Sequence, residues 1–258
     1  MFKQSLFTQL QPFLMKRNVL LLAMVALVSV WAQAQTADEI LARYFENTGG
    51  VAKWKALQTM TGTGKMSMQG MDLNFVLTMK SPNKQHMKIA VQGQEIVQAY
   101  DGTDAWMLNP FMGGKDPVKL TPEEAKQMTE EELQDDFIDY KKKGHEVKLL
   151  GKEEIDGVNC YKIELVKNKN NDKEDVTEIY YFDAENYVPI VVASYVRSGP
   201  AKGQESRTYL SDYQDVNGLM LPFSIESKLN GQTAQKMTFE KIALNESVND
   251  TMFAFPKK

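Results

Sequence analysis

Between residues 60 and 79, apolar and polar positions alternate on both sides of Gln69-Gly70. A two-residue turn at that dipeptide puts Met68 opposite Met71, Met66 opposite Leu73, Gly64 opposite Phe75, Gly62 opposite Leu77 and Met60 opposite Met79. One face of the hairpin is then wholly apolar or glycine. The other carries Lys65, Ser67, Asp72, Asn74, Thr78 and Lys80, broken only by Val76. Strict alternation predicts a sheet with one dry and one wet side. The dry side is rich in methionine, whose flexible thioether chains suit a wall that moulds itself around variable apolar guests. Gly62 and Gly64 are expected to leave space where a packed core would put side chains. A plain β-core hairpin is the alternative reading of the same pattern.

Turn signals recur at Gln92-Gly93, Asp101-Gly102, Asp156-Gly157, Asn217-Gly218 and Asn230-Gly231, each between short β-branched or aromatic runs. Strands are predicted near 58–68, 71–80, 85–92, 95–101, 103–109, 145–155, 158–167, 176–183, 189–197, 205–213, 222–229 and 233–243. That many sequential hairpins form an antiparallel meander that must curl into a barrel or part of one. The fold class expected is mainly β with added helices (α+β): an incomplete barrel closed by an N-terminal helix and a helical lid. The helix opens at Thr36-Ala37-Asp38-Glu39 and carries Ile40, Leu41, Tyr44 and Phe45 before Gly49-Gly50. The lid falls at about 121–143, where Thr121-Pro122-Glu123-Glu124 reads as a capping box with a helix-opening proline. A second capping box, Thr129 to Glu132, predicts a second short helix, closed by Lys141, Lys142, Lys143 and Gly144. Its apolar stripe is Leu133, Phe137 and Tyr140, and its acidic side (Glu130, Glu131, Asp135, Asp136, Asp139) reads as a solvated face. The stretch 168–175 reads as a polar surface loop.

The chain's beginning changes the domain picture. Lys16-Arg17, an apolar run over 19–31 and Ala32-Gln33-Ala34 make a secretory leader with a small-residue cleavage pattern, with Met15 as the natural start. Residues 1–34 are therefore expected to be removed and 35–258 to form one domain. The mature part keeps 27 basic against 34 acidic side chains, a formal charge of −7. That balance argues against nucleic acid and anionic membrane surfaces as partners. The single cysteine, Cys160, cannot form an intrachain disulfide and stands too far from the cleavage pattern to take a lipid anchor. A soluble, periplasmic, monomeric protein is expected.

Catalytic chemistry is hard to place. The two histidines, His86 and His145, sit in separate strands without metal-ligand spacing, and no nucleophile triad or phosphate loop is readable. The expectation is a non-enzyme with no catalytic residues, no metal and no cofactor.

Three stretches carry a family resemblance: Ser81-Pro82-Asn83; Asp101-Gly102-Thr103-Asp104-Ala105-Trp106 leading to Asn109-Pro110-Phe111; and Phe253-Ala254-Phe255-Pro256. Together they resemble the LolA-like periplasmic carriers of outer-membrane lipoproteins. The resemblance implies an incomplete barrel around an apolar cavity for lipoprotein acyl chains or free lipid. It also implies an inner-membrane release complex and an outer-membrane acceptor as partners. The lining is expected to include Met60, Met66, Met68, Met71, Leu73, Phe75, Leu77 and Met79 from the hairpin. Met87, Ile89, Val91, Ile96, Trp106, Met107 and Phe111 are expected beside them, with Leu133, Phe137 and Tyr140 in the lid. If Gln92-Gly93 and Asp101-Gly102 are both two-residue loops, Ile89, Ile96 and Met107 share a face opposite to Trp106, Val97 and Leu108. Whichever face is not cavity is expected to pack on something such as the N-terminal helix. Two positions depart from the family: Ser81 replaces an arginine tied to lid closure, and Gln85 replaces an aromatic. The leading functional reading is a carrier or binder of acylated protein or lipid. A periplasmic sensor or protein-binding scaffold on the same fold is the alternative.

Overall fold

A meander of hairpins must either close on itself or leave two edges, and here it leaves two. The computed structural model describes residues 35–256 apart from 69, 113, 169–174 and 198. The expected leader at 1–34 and most of the polar loop at 168–175 therefore lie outside the described residues. Helices α1 (Ala37–Asn47) and α2 (Val51–Lys55) precede β1 (Thr59–Met68), β2 (Met71–Lys80), β3 (Lys84–Val91), β4 (Gln94–Tyr100), β5 (Ala105–Leu108) and β6 (Val118–Lys119). Helix α3 (Pro122–Glu130) follows, then β7 (Glu146–Ile155), β8 (Val158–Lys167), β9 (Val176–Asp183), β10 (Pro189–Tyr195), β11 (Glu205–Val216), β12 (Leu219–Leu229) and β13 (Gln232–Leu244). The result is a mainly-β, open, curled antiparallel sheet.

All thirteen strands lie in one sheet ordered β6-β5-β4-β3-β2-β1-β13-β12-β11-β10-β9-β8-β7. Strands adjacent in sequence are adjacent in space except β6 and β7, and β1 meets β13 in the middle. Met60 pairs with Met79, Gly62 with Leu77, Gly64 with Phe75, Met66 with Leu73 and Met68 with Met71, as the hairpin pattern predicts. The free edges are β6 and β7, and residues 120–145 run from one to the other. Edge strand β7 is kept from pairing further by Lys148, Lys152, Glu153 and Glu154 and by a register shift at Gly151.

Gly62 and Gly64 do not hollow the interior. A Cβ on Gly62 would overlap the Phe239 ring, and one on Gly64 would strike the Thr238 carbonyl of β13. Register also shifts between Thr63 and Gly64 at the β1–β13 seam. The glycines let that seam bulge and seat an aromatic ring, whose edge meets Phe75 at 5.2 Å between centroids.

Both faces of the sheet carry apolar clusters. On the concave side, Ile40, Leu41, Tyr44 and Phe45 of α1 pack with Met66, Phe75, Met79, Phe182, Phe223 and Phe239, and with Leu133, Phe137 and Ile138. On the convex side, Trp106 packs with Val97, Ala99, Leu108 and Phe255. Its indole Nε1 donates to the Phe253 carbonyl at 2.8 Å. The partner of the second apolar face is thus the C-terminal segment, not the N-terminal helix. Trp106 is removed from the expected lining, because it faces away from the concave side.

The lid differs from its prediction as well. Helix α3 carries the expected capping box, with Thr121 and Glu124 in reciprocal hydrogen bonds. Beyond it, 131–144 is a run of turns and bends, not a second helix. The side chain of Thr129, on which the second capping box rested, is outside the described set. Asp139 takes a positive φ of 51° and Gly144 one of 79°, which break any helical run there.

Gly64→Ala is expected to destabilise the fold by roughly 1–3 kcal/mol, because the clash is with backbone and the seam itself must move. A urea unfolding curve for the variant checks this. An unchanged midpoint would mean the seam is looser than described.

Candidate functional site

Cross-strand pairing sorts the concave face of β1–β5 into rows. Leu77 pairs with Met87, and Phe75 with Ile89, which pairs in turn with Ile96. Met87 pairs with Gln98, and Gln98 with Met107. The loop after β4 spans four residues, 101–104, not two, with Asp101 Oδ1 accepting from the amides of Thr103 and Asp104. A register displaced by two residues keeps every side chain on its expected face. Ile89, Ile96 and Met107 therefore do share the concave side.

Burial along these rows is graded. Met66, Phe75, Met79 and Val91 are buried. Met60, Met68, Leu73, Leu77, Met87, Ile89, Ile96 and Met107 are half-buried, and Met71 is exposed. Phe111 stands apart on a 3-10 turn, 47% exposed, so it lies outside the strip. What emerges is an apolar strip, fully covered beside the β1–β13 seam and half open toward the β5 edge.

The expected hollow behind the first strands is filled. Side chains of α1 together with Leu133, Phe137 and Ile138 occupy the concave side in one contiguous cluster. Phe137 sits with its ring 4.8 Å from Tyr180 and 5.7 Å from Phe182. Open volume instead lies at the margins. A cleft of about 340 Å³ is lined by Phe45, Val51, Phe137, Ile138, Tyr140 and the flanking Asp139, Lys141 and Lys142. Another of about 470 Å³ is bordered by Asn47, Asp183, Asn186, Ile190, Leu210 and Tyr213 among others.

The segment 131–144, with α3, covers the concave side through polar fasteners at its rim. Tyr44 Oη donates to Asp135 Oδ2 at 2.7 Å, and the Phe137 amide donates to Asp135 Oδ1 at 2.9 Å. Lys167 Nζ lies 2.6 Å from Asp136 and 3.1 Å from Glu178. Tyr140 Oη and Lys141 Nζ both reach Asp38, at 2.6 and 2.8 Å. Lys55 pairs with Asp139 at 2.7 Å. The β2–β3 turn contributes neutral bonds: the Leu133 amide donates to the Pro82 carbonyl at 2.9 Å, and Gln85 Nε2 to the Met128 carbonyl at 2.9 Å. Gln85 is thus itself a fastener. The acidic run is not simply a solvated face, since Asp135 and Asp136 turn inward.

Electrostatics set these fasteners apart from surface pairs. Removal from water pushes the Asp135 carboxyl up to about 6, against the lowering effect of its bonds from Tyr44 and Phe137. Burial, with Asp135 nearby, holds the Tyr44 phenol well above its ordinary value. Burial works against the Lys167 ammonium, but Asp136 and Glu178 outweigh it and raise its pKa. Sequence reasoning missed Asp135, Asp136, Tyr44 and Lys167. The only sequence signal is the Asp135-Asp136 pair set between the apolar Leu133 and Phe137-Ile138; Tyr44 and Lys167 give none.

Chemistry elsewhere is sparse. His86 is buried on the convex side near Trp106, and burial lowers its pKa. His145 Nδ1 accepts from the Asn168 amide at 3.1 Å. Cys160 is wholly buried. Among the described residues, no group of three or more His, Cys, Asp or Glu is placed to hold a metal ion. No helix among them is long and apolar enough to cross a membrane.

A family model described as an uncharacterized protein matches residues 75–255. Among curated proteins no sequence matches the chain. Solved structures do match its shape. A LolA superfamily protein from Nitrosomonas europaea aligns over 86% of this chain and 98% of its own, with a TM-score of 0.54 and 15% identity. A DUF1329 family protein from Desulfovibrio piger aligns over 83% and 97%, with a TM-score of 0.54 and 12% identity. A domain described as an outer-membrane lipoprotein-sorting protein, from Vibrio parahaemolyticus, aligns over 83% and 94%, with a TM-score of 0.52 and 12% identity. The fold is LolA-like.

Lys167→Met leaves Asp136 and Glu178 facing each other in a half-buried site. The loss should fall between that of a surface pair and a buried one, about 2–3 kcal/mol. Thermal or urea unfolding measures it. A loss under about 0.5 kcal/mol would show that the ion triad is not a fastener.

Proposed function

We propose that this chain, which belongs to the family of uncharacterized proteins whose model spans residues 75–255, binds acyl chains of lipoproteins or lipids on its concave strip and shields them in transit. The observation that carries the reading is the half-open run of Leu77, Met87, Ile89, Ile96 and Met107 leading beneath a cover pinned by polar contacts at its rim. Its LolA-like fold supports it, as does likeness to a domain described as a lipoprotein-sorting protein. The leader at 1–34 would send the protein to the periplasm, where it would act as a soluble carrier between a membrane donor and an acceptor.

Energetics make such binding reversible. Burying one methylene gains about 0.8 kcal/mol, so a sixteen-carbon chain gains roughly 12. To enter fully, it must displace Leu133, Phe137 and Ile138, whose burial is worth about 1.5–3 kcal/mol each. Much of the gain is thereby offset, and the surrounding bilayer competes for the remainder. The net preference of the cargo for the carrier over the bilayer is thus small. Non-covalent exchange between the protein's own side chains and the guest is the whole mechanism, and no residue needs to do bond chemistry.

The filled interior also favours a second reading: a sensor or scaffold that uses this fold to hold a partner protein. Lipid extraction and mass spectrometry of gently purified protein, with a fluorescent fatty-acid titration, separate the two. The carrier reading expects co-purified acyl species and probe binding weakened at least tenfold by Ile89→Glu, a half-exposed position on the strip. Absence of both acyl species and probe binding would leave the scaffold reading.

A further inference from the structure

We propose that the cover over the strip is a proton-linked latch: Asp135 of the cover and Tyr44 of α1 are joined so that taking up a proton closes the cover and releasing it favours opening. The inference rests on the reading that the cover moves to admit a guest, and adds what controls the movement.

The geometry comes first. Asp135 reaches α1 at Tyr44, 2.7 Å away and 91 positions distant in sequence, and is a part-buried link, whereas Tyr140 and Lys141 reach Asp38 of the same helix at the exposed rim. The second oxygen of Asp135 holds the Phe137 amide, so the same carboxyl fixes the backbone that aims the Phe137 ring into the core. Opening the cover must break both bonds and return the carboxyl to water. The surroundings favour a neutral group. Tyr44 of α1, Tyr180 of β9 and Tyr213 of β11 stay neutral phenols, raised chiefly by burial, so removal from water is what favours the uncharged carboxyl. Within the cover, Asp136 raises it further and Lys143 opposes that. The nearby cation, Lys167 of β8, is already engaged by Asp136 and Glu178. Two more titrating groups stand close by: Glu131, raised by burial, and His145, lowered by burial.

The sign follows from linkage. Closed, the carboxyl titrates at about 6, and solvated in the open form it returns to its ordinary 3.8. The closed form binds the proton more tightly, so acidification through pH 6 favours closure and a rise above it favours opening. Between pH 7.5 and 5 the closed-to-open ratio should grow about tenfold. A guest would therefore load and unload more readily on the neutral side. The Asp38–Lys141 pair, whose carboxyl is held below its ordinary value by bonds from Lys141 and Tyr140, stays charged across this window and supplies a constant hold.

The test uses the ligand-free protein and reads hydrogen exchange of the Leu133 and Phe137 amides, expressed as protection relative to the intrinsic rate at each pH. Protection is expected to be about tenfold greater at pH 5 than at pH 7.5. Asp135→Asn should give high protection at both values, and His145→Gln should keep the wild-type response. Tyr44→Phe removes the bond that lowers the carboxyl's pKa, so its response should persist with a midpoint moved to higher pH. A flat wild-type profile overturns the latch, as does pH dependence that survives in Asp135→Asn or vanishes in His145→Gln. In parallel, a fluorescent fatty acid is added at both pH values. If it binds at neither while protection still responds, the binding reading fails and the latch stands. If it binds equally fast at both while protection is flat, the latch fails and the binding reading stands.

Discussion

A single curled sheet with a dry concave face has no second sheet to cover it. Something else in the chain must do so. Two stretches are free to do so: α1 before the first strand packs on the concave face, and residues 120–145 between the two sheet edges form the cover fastened to it. Everything functional follows from this. The core beneath the cover is continuous with the strip beside it, and on the proposed reading whether a side chain or a guest occupies that ground depends on how firmly the cover is held.

The fasteners at the rim and the packing beneath it play different parts. Leu133, Phe137 and Ile138 contribute apolar burial, which an acyl chain can replace in kind. The Asp135–Tyr44 bond and the Asp136–Lys167–Glu178 triad have no such substitute. A guest gains nothing by breaking them. Tuning the hold on the cover would therefore shift a guest's apparent affinity without altering the strip itself. The turn between β2 and β3 adds a third kind of tie, since it holds the cover through the Pro82 carbonyl and the Gln85 amide, both neutral.

Much of the fold was legible in the sequence because alternation and turn residues are local signals. Met60 through Met79 paired as the pattern required, and the facing of Ile89, Ile96 and Met107 survived a longer loop than expected, because a displacement of two preserves facing. What could not be read was what packs against each face. Trp106 looked like lining until the C-terminal Phe253 and Phe255 were seen to cover it. Gly62 and Gly64 looked like empty space, yet a ring from the far end of the chain occupies it. Asp135 and Asp136 looked solvated because an acidic run in a helix would be. Once the segment is turns, its facing no longer follows a helical period, and partners such as Tyr44 and Lys167 come from elements distant in sequence. Contacts made by tertiary packing leave little mark on local pattern.

The account stands on the concave strip being where an acyl chain lies. A photoactivatable fatty acid carrying a diazirine in its tail, crosslinked to the protein at neutral pH and mapped by peptide sequencing, tests this most directly. Attachment is expected at Leu77, Met87, Ile89, Ile96 or Met107, and at Phe137 as the cover gives way. Saturable labelling confined to the convex side, around Trp106 and Phe255, or to Phe111 and Met112, would contradict it.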